Sequence, residues 1–368
     1  MDIKYSYILP CYNVAGKIAD CLNSIFKNTA LSYEVIIVND GSPDNLNDVL
    51  SEYFESKIDD GINRLEFKGK SVTVLCKENG GVSSARNSGI GLARGEYLLF
   101  ADPDDELAEG SLDSIDFAVS ENQPDLLITG FIIKTENKNA GETIKNVYPS
   151  RDFKTESREE VMQNVFPLFF GFSVNNIKKW GSEGVSLASQ TEFGSVWRCV
   201  FKTDIIKENS IRFDPEIILH EDGMFICEYL TFAKKVYSLG ALTYIYNSAP
   251  EGAMASTLFS EEKKQKLLEN KISLFRFRKA LAEKNGLSLE SYAGSNAMSC
   301  LELMARFSLG SYKKIKAYIN EPEVKASVKL MPKTKDFKFN ISMLLLKYKM
   351  ARLLFFAINL AKRIGVKF

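Results

Sequence analysis

The chain contains 368 residues, a length that supports two domains or one large domain with an appendage. Its hydrophobic content of 45% and charged content of 26% indicate a packed globular protein and exclude a disordered or fibrous one. The 47 Lys and Arg residues are balanced by 47 Asp and Glu residues, so the overall charge gives no argument for a nucleic-acid partner.

The cysteine, histidine and N-terminal patterns exclude further classes. Six cysteines are scattered without a CxxC pair, which argues against a zinc site or a disulfide framework and favours a reducing, cytoplasmic compartment. His220 is the only histidine, so mechanisms that need two or more histidines are excluded. The opening residues, MDIKYSYILPCYN, are typical of a strand entering a turn, and we therefore expect no signal peptide.

Up to about residue 135, the chain alternates short β-rich runs with helical stretches. Runs such as YEVIIVND are apolar on both faces, which is typical of a parallel sheet covered by helices. The pattern predicts an α/β fold. Its predicted strands are residues 3–10, 33–40, 71–76, 97–101 and 126–133.

The rest of the chain has a different character. Residues 136–160 are polar and predict a linker, and residues 161–200 mix aromatic residues with Gly and Ser. After Tyr246 the chain becomes helical, with a helix predicted over 261–285 from apolar residues at helical spacing and a closing Asn-Gly. We place a domain boundary near residue 250.

Charge is divided unevenly along the chain. Residues 313–368 hold fourteen Lys and Arg residues against three acidic ones, a net charge of +11, so residues 1–312 carry about −11. The tail over 340–368 combines a wide apolar face with a basic edge, the pattern of a helix that lies on an anionic membrane surface. A C-terminal helix packed on its own domain is the alternative, and the residues leave both open.

Polar residues follow the first two predicted strands, at the edge where an open α/β sheet collects its ligand. The first loop contains Pro10, Tyr12 and Asn13, and the second contains Asp40. The Tyr12 ring offers a flat face to a nucleobase, and the Asp40 carboxylate can accept from a ring N–H. Taken alone, each loop also fits a purely structural role, because Asn-Asp-Gly-Ser is a common turn and helix cap.

The loop after the third predicted strand, ENGGVSSARNSG, is suited to anions. Gly80 and Gly81 allow a close approach of the backbone to a ligand, and the serines can cap the helix that follows. Arg86 lies in the first turn of that helix as a candidate phosphate clamp.

Four acidic residues occupy five positions after the strand at 97–101. Such crowding is repulsive and persists mainly where a cation neutralises it. Carboxylate oxygens favour Mg²⁺ or Mn²⁺, so the loop predicts a divalent metal site, with an acidic helix-capping turn as the alternative. These residues are Asp102, Asp104, Asp105 and Glu106.

A carboxylate pair, Glu221 and Asp222, precedes an apolar helix. Capping of that helix by one of the two acids is the simplest interpretation, and it leaves the other acid free. A functional role for this pair is supported by the four preceding loops, which predict a ligand site.

Together these motifs resemble family 2 glycosyltransferases, the inverting GT-A enzymes that build bacterial capsule, O-antigen and teichoic-acid sugars. The resemblance covers about residues 3–246 and implies a GT-A mixed sheet, with a nucleotide-sugar half over 1–135, an acceptor half over 136–249 and a helical region over 250–368. It rests on PCYN, VNDGS, ENGGVSSARNSG, ADPDD, VWRCVFKTDIIKENSIRFDP and EDGMF, in the family's order.

The resemblance also implies a role for each motif residue. Asp222 matches the general base, and Asp104 matches the ligand of Mn²⁺ or Mg²⁺. The residues implied for donor binding are Pro10, Tyr12, Asn13, Asp40, Gly81, Arg86 and Asp102. Contact with the acceptor is expected for Glu221, for His220 unless it is a structural partner, and for Trp197 unless its ring belongs to the core.

The implied reaction is one displacement that inverts the anomeric carbon. Asp222 takes the proton of an acceptor hydroxyl, while the metal and Arg86 neutralise the departing nucleoside diphosphate. Pro103 stands where the family usually has Ser, but both flanking acids are kept. The absence of a QxxRW motif indicates transfer of a single sugar.

The expected donor is a UDP-sugar, and the expected acceptor is a lipid-linked saccharide at the inner face of the plasma membrane. Two other functions stay open. Sugar-1-phosphate nucleotidyltransferases also use an α/β sheet and acidic metal loops, but PCYNVAG lacks their Gly-rich phosphate loop with Arg and Lys. A non-catalytic nucleotide-sugar-binding protein would also keep the cleft. Such a protein would be expected to have lost the acidic residues, but this chain has them.

Overall fold

The structure is a computed structural model that describes residues 3–27, 32–137, 142–248, 261–307 and 312–363. The chain divides into two compact units, Met1–Gln163 with Gly194–Gly252, and Asn164–Phe193 with Ala253–Phe368. The boundary predicted near residue 250 lies outside the described residues. Residues 164–193, which were expected in the first domain, pack in the second unit because Ile177 belongs to its buried core.

Within the described residues, the first unit forms a ten-stranded mixed sheet. The strands are β1 (Tyr5–Cys11), β2 (Tyr33–Asp40), β3 (Gly61–Phe67), β4 (Lys70–Lys77), β5 (Tyr97–Phe100), β6 (Glu106–Leu107), β7 (Leu126–Asn137), β8 (Glu142–Tyr148), β9 (Cys199–Lys202) and β10 (Val236–Ser248). Their order in the sheet is β3-β4-β2-β1-β5-β9-β7-β10-β6, with β8 paired to β7.

All five predicted strands are present, and β1, β2, β4 and β5 are parallel neighbours as expected. The polar stretch predicted as a linker is wrong in part, because β8 lies there and pairs antiparallel with β7. The described side chains of β8 are exposed, so no apolar alternation marks this strand in the sequence.

Helices cover both faces of the central strands. In chain order the helices are α1 (Ile18–Phe26), α2 (Leu46–Phe54), α3 (Val82–Leu92), α4 (Ser111–Asn122), α5 (Arg158–Glu160), α6 (Phe166–Phe170), α7 (Val174–Lys178), α8 (Thr203–Glu208), α9 (Glu221–Leu230), α10 (Glu261–Lys284), α11 (Ala293–Arg306), α12 (Tyr312–Asn320), α13 (Pro322–Leu330), α14 (Phe337–Lys347) and α15 (Ala351–Arg363).

The two faces of β1 illustrate how the helices pack. Tyr7 and Leu9 join a core with buried side chains of α1, α2 and α4. Ile8 points to the other side, where Gly89 of α3 comes so close that a Cβ there would lie 2.4 Å from the Ile8 Cγ2 atom. Burial on both faces explains why β1 and β2 are buried at every position.

The second unit is helical and has its own apolar core. The helix predicted over 261–285 is present as α10, and later helices contribute buried side chains such as Leu303, Ile315 and Phe355. Of the helices in the described ranges, none combines the length and the apolar character needed to cross a membrane.

Candidate active site

The parallel strands bring the predicted loops to one edge of the sheet. Cys11 at the end of β1 is in register with Asn39 of β2, and Asp40 is in register with Lys77 of β4. The acidic loop follows β5, which is the other parallel neighbour of β1. The loops therefore lie side by side at the carboxyl ends of their strands, as the topology of an open α/β sheet requires.

Asp40 is buried and holds the glycine-rich loop in place. Its carboxylate forms an ion pair with Lys77 and accepts the backbone N–H groups of Gly80 at 3.0 Å and Gly81 at 2.7 Å. The Asn79 side chain donates to the Asp40 carbonyl at 2.8 Å. We call these residues, Asp40, Lys77, Asn79, Gly80 and Gly81, the Asp40 cluster. The predicted contact of Asp40 with a nucleobase stays a prediction, because its carboxylate oxygens already accept hydrogen bonds from the glycine-rich loop.

The first loop presents an aromatic ring to solvent. Tyr12 is 52% exposed, so its ring face is accessible to a ligand. Asn13 adopts a left-handed backbone with φ of 57°, and its N–H donates to the Ser42 hydroxyl at 3.1 Å, which ties the first loop to the second. Pro10, by contrast, is buried within β1 beside Val38 of β2.

Arg86 occupies the centre of the site, and its predicted role as a phosphate clamp stays a prediction. Its side chain is only 4% exposed, and its guanidinium lies 5.3 Å above the Phe213 ring. The guanidinium nitrogens bind Asp102 at 3.2 Å, Glu221 at 3.1 Å and Asp222 at 2.6 Å. We call Arg86 and these three acids the Arg86 cluster. It joins the acidic loop after β5 to the start of α9, although 136 residues separate Arg86 from Asp222.

Asp222 is held at both oxygens in a partly buried position. One oxygen binds Arg86, the other accepts the Val196 N–H at 3.1 Å, and the side chain is 13% exposed. Burial raises the pKa of Asp222 to about 6, with Arg86 opposing that rise and Glu221 adding to it. Neither acid caps α9, because no side-chain hydrogen bond caps that helix and both acids bind Arg86. The simple capping interpretation is therefore wrong.

The four acids after β5 have separate surroundings. Asp102 belongs to the Arg86 cluster, whereas the Asp104 side chain is 41% exposed and lies 3.3 Å from the Lys17 ammonium. Asp105 is buried and accepts from the Asn247 N–H at 2.7 Å and the Tyr244 hydroxyl at 3.0 Å. Burial raises the pKa of Asp105 to about 8, with Asp102 as the second cause.

These surroundings weaken the argument that the crowded acidic residues need a metal ion to neutralise them. Lys17, Arg86 and the partners of Asp105 already neutralise or solvate the acids of this loop. In the part of the chain that the structure describes, no three His, Cys, Asp or Glu side chains form a group that could hold a metal ion. The metal-binding role of Asp104 stays a prediction, and its exposed carboxylate is the one feature here that suits it.

The predicted acceptor side is mixed. His220 is exposed and precedes α9 with a left-handed φ of 69°, and Glu221 is bound to Arg86. Trp197 is only 7% exposed; its ring stacks on Tyr244 at 4.4 Å and meets the Phe131 ring edge-on at 4.9 Å. The Trp197 ring therefore belongs to the core, and its predicted contact with the acceptor stays a prediction.

Sequence reasoning missed several residues that shape the site. Lys77 precedes the glycine-rich loop directly, and this position was its only signal. Val196 contributes a backbone N–H, which leaves no trace in a sequence pattern. Tyr244 donates to Asp105 across 139 residues and gave no local signal.

Comparison with known proteins shows that the chain is similar to glycosyltransferases. Residues 6–179 match the model of glycosyl transferase family 2. The chain is 27% identical over 246 residues to the uncharacterized glycosyltransferase EpsJ of Bacillus subtilis (strain 168), which covers 67% of this chain and 61% of EpsJ. It is 26% identical over 259 residues to the poly(ribitol-phosphate) beta-N-acetylglucosaminyltransferase TarS of Staphylococcus aureus (strain MW2), which covers 70% of this chain and 38% of TarS. The chain thus spans less than two thirds of the length of these relatives.

A solved structure supports the same fold. The crystal structure of S. aureus TarS 1–349 in complex with UDP-GlcNAc superposes with a TM-score of 0.57 and 19% sequence identity, and the match covers 100% of this chain and 93% of that one. At this identity the likeness shows the fold alone. The predicted GT-A fold is confirmed.

Proposed function

The chain belongs to the family 2 glycosyltransferases, and from that premise we propose that it moves a single sugar from a nucleotide-sugar donor to a saccharide acceptor with inversion of the anomeric carbon. The observation that carries this proposal is the Arg86 cluster, which sets Asp222 beside the loops at the carboxyl edge of the sheet. One base on one side of a sugar and one leaving group on the other give a single displacement.

Asp222 is the base in this proposal. A carboxylate with a pKa of about 6 is mostly ionised at neutral pH and still basic enough to take a proton from an attacking hydroxyl. Its two hydrogen bonds, from Arg86 and Val196, fix its orientation before the acceptor arrives. Glu221 shares Arg86 and adds negative charge that favours protonation of Asp222.

A divalent cation suits the acidic loop. Mg²⁺ and Mn²⁺ are commonly held by one or two carboxylates, with phosphate oxygens completing the shell. Asp104 has the exposed carboxylate that this arrangement needs, and Asp102 is the second candidate at 26% exposure. When bound, the ion supplies positive charge that offsets the charge of the leaving nucleoside diphosphate. Asp104→Asn should raise the Mn²⁺ concentration needed for half-maximal donor turnover, whereas Asp113→Asn at an exposed position should not.

A UDP-sugar is the proposed donor. The exposed Tyr12 ring provides a stacking face for a nucleobase, and the Asp40 cluster holds the glycine-rich loop beside it at the same sheet edge. TarS 1–349, which shares this fold, has been solved with UDP and with UDP-GlcNAc, and this supports the choice of nucleotide.

The proposed acceptor is a lipid-linked saccharide in the synthesis of capsule, O-antigen or another cell-surface polymer. Support comes from relatives named for such polymers, including TarS and the minor teichoic acid biosynthesis protein GgaB of Bacillus subtilis (strain 168). An acceptor of this kind places the enzyme in the cytoplasm, at the inner face of the plasma membrane.

A donor screen tests the function directly. The full chain is incubated with UDP-, GDP- and dTDP-sugars, with and without Mn²⁺, and released nucleoside diphosphate is measured beside the Asp222→Asn variant. We expect release from a UDP-sugar that rises with acceptor and depends on Asp222. Pyrophosphate release from a nucleoside triphosphate and a sugar 1-phosphate would instead identify a nucleotidyltransferase, and donor binding without turnover would identify a binding protein.

A further inference from the structure

The last two helices of the second unit, α14 and α15, expose a run of large apolar side chains. The members of this run are between 39% and 74% exposed. On each helix they recur every three or four residues, the spacing that places side chains on one helical face, and two further members, Tyr348 and Met350, lie in the short connection between the helices. We call this run the outer stripe: Phe337, Ile341, Leu344, Tyr348, Met350, Leu353, Phe356 and Leu360.

A different face of each helix packs on the second unit itself. On α14, Phe339 is buried, and its ring meets the Trp180 ring edge-on at 5.4 Å. On α15, Phe355 and Ile358 are buried, and the Phe355 ring lies 5.3 Å from that of Tyr312. The core is therefore closed without the outer stripe. The two alternatives for the tail are compatible, because the tail packs on its own unit and still presents a second apolar face.

A second apolar face on a packed helix needs an explanation. A surface helix ordinarily has one apolar stripe toward the core and polar residues opposite. Single exposed apolar residues are common, but here eight large ones fall within residues 337–360, at helical spacing on each of the two helices. Patches of this kind mark surfaces that meet another apolar phase or partner.

The charge of the same segment identifies the partner. Residues 337–363 contain six Lys and Arg residues and no Asp or Glu. Four of these basic residues have described, exposed side chains that flank the outer stripe in sequence: Lys338, Lys347, Lys349 and Arg352. Basic side chains beside an apolar face attract anionic lipid headgroups while the apolar side chains enter the headgroup–acyl boundary.

A second copy of the chain fits this surface less well. Two copies that met through the outer stripe would bring two basic segments together without any acidic residue of the segment to offset them. A membrane surface satisfies both the apolar side chains and the charge. The helices have the length for lying on a membrane rather than crossing it, since α14 has 11 residues and α15 has 13.

We propose that the outer stripe is the surface through which this protein lies on an anionic membrane. The proposal deepens the proposed function and rests on it in one respect, namely that a lipid-linked acceptor gives the enzyme a reason to be there. Binding itself depends only on the outer stripe and its basic neighbours, so it can be measured without any sugar donor.

Vesicle cosedimentation tests the proposal with the full chain. The vesicles contain equal parts of phosphatidylglycerol and phosphatidylcholine, and phosphatidylcholine vesicles serve for comparison. The combined variant Leu344→Gln, Tyr348→Gln, Leu353→Gln and Phe356→Gln should lower partitioning onto the anionic vesicles by about a hundredfold or more, because four large apolar side chains no longer leave water. All four positions are exposed, so the fold should survive.

A matched control replaces four exposed apolar residues of the first unit in the same way. The variant Ile62→Gln, Phe117→Gln, Ile144→Gln and Val147→Gln should bind vesicles like the unmodified chain. A charge variant, Lys347→Gln, Lys349→Gln and Arg352→Gln, should weaken binding to anionic vesicles strongly at low salt and less at high salt. Thermal melts and donor turnover with a soluble acceptor check that each variant is folded.

Several results would overturn the proposal. Equal binding by the stripe variant and the control would remove the outer stripe as the docking surface. A dimer in sedimentation equilibrium that only the stripe variant dissociates, together with no vesicle binding, would assign the surface to a second copy. Vesicle binding that follows the outer stripe while no nucleotide sugar is turned over would leave the docking surface standing and contradict the proposed function instead.

Discussion

The Asp40 cluster and the Arg86 cluster use the same chemical groups in opposite proportions. In the Asp40 cluster one buried carboxylate receives an ammonium group and two backbone N–H groups. In the Arg86 cluster three carboxylates share one buried guanidinium. Donors exceed acceptors in the first cluster, so its carboxylate is fixed as a structural group. In the Arg86 cluster three carboxylates share one cation, so the cluster keeps a net negative charge. This charge favours protonation of one of its carboxylates.

The largest effect is expected from Asp222→Asn. The amide cannot take the proton of the acceptor hydroxyl, so the transfer rate should fall by about 10²–10⁴-fold, the usual contribution of a general base. The amide keeps the size of the side chain, so donor affinity should change little. Initial-rate kinetics with a saturating donor measure the effect, and Asp113→Asn at an exposed position is the control. Retention of full activity would remove Asp222 from the mechanism.

Replacement of Arg86 tests the second cluster from its cationic side. Arg86→Gln leaves three partly buried carboxylates, Asp102, Glu221 and Asp222, together without a cation, and should lower the free energy of unfolding by about 3–5 kcal/mol. The loss should be smaller at pH 5 than at pH 8, because the carboxylates of the variant gain protons as the pH falls. Urea denaturation at both pH values measures it, with the exposed Arg64→Gln as a control. A loss that is the same at both pH values would contradict the shared-cation account.

Asp40→Asn tests the first cluster. The amide weakens the hydrogen bonds to Gly80 and Gly81 and leaves Lys77 without its carboxylate, so about 1.5–3 kcal/mol of unfolding free energy should be lost. Because the loop then becomes less ordered, the donor KM should rise more than kcat falls. A fall in kcat with an unchanged donor KM would instead give Asp40 a part in the chemical step. Asp48→Asn, at an exposed position on α2, should change neither quantity.

The acid side of the pH profile should report Asp222. With a pKa of about 6, this carboxylate is protonated below that pH and cannot act as a base, and it is ionised above it. The value of kcat/KM should therefore be about tenfold lower at pH 5 than at pH 7, since about one-tenth of the groups are ionised one unit below the pKa. The residual activity of Asp222→Asn should lack this acid limb. An acid limb of kcat/KM with its midpoint near pH 4 would mean that burial does not raise the pKa of Asp222.

The two clusters also show how much of the site sequence patterns could predict. Tyr12, Asp40 and Arg86 were found because parallel strands place their loops at one edge, and strands are visible as local apolar runs. Which acids Arg86 would bind was not visible, since α9 lies more than a hundred residues away. The partners that Asp105 finds in the fold were not visible in the acidic loop, because they come from β10.

The same distinction between local and distant information applies to the fold. Strand β8 was missed because its described side chains are exposed and it depends on pairing with β7. Residues 164–193 were placed in the wrong unit, because an apolar residue such as Ile177 predicts burial but not the core in which it is buried. Local pattern is sufficient for elements that bury both faces, and it fails for elements whose partners are distant in sequence.

The smallest effect is expected from Trp197→Phe, which tests the core behind the Arg86 cluster. Trp197 follows Val196, whose N–H binds Asp222, and its ring stacks on Tyr244. Loss of part of this aromatic contact should lower the free energy of unfolding by about 1 kcal/mol. Because phenylalanine keeps the position apolar and filled, the Val196 N–H should stay in place, and transfer should change by less than about twofold. A large rise in the acceptor KM with unchanged stability would instead return the indole ring to the acceptor site.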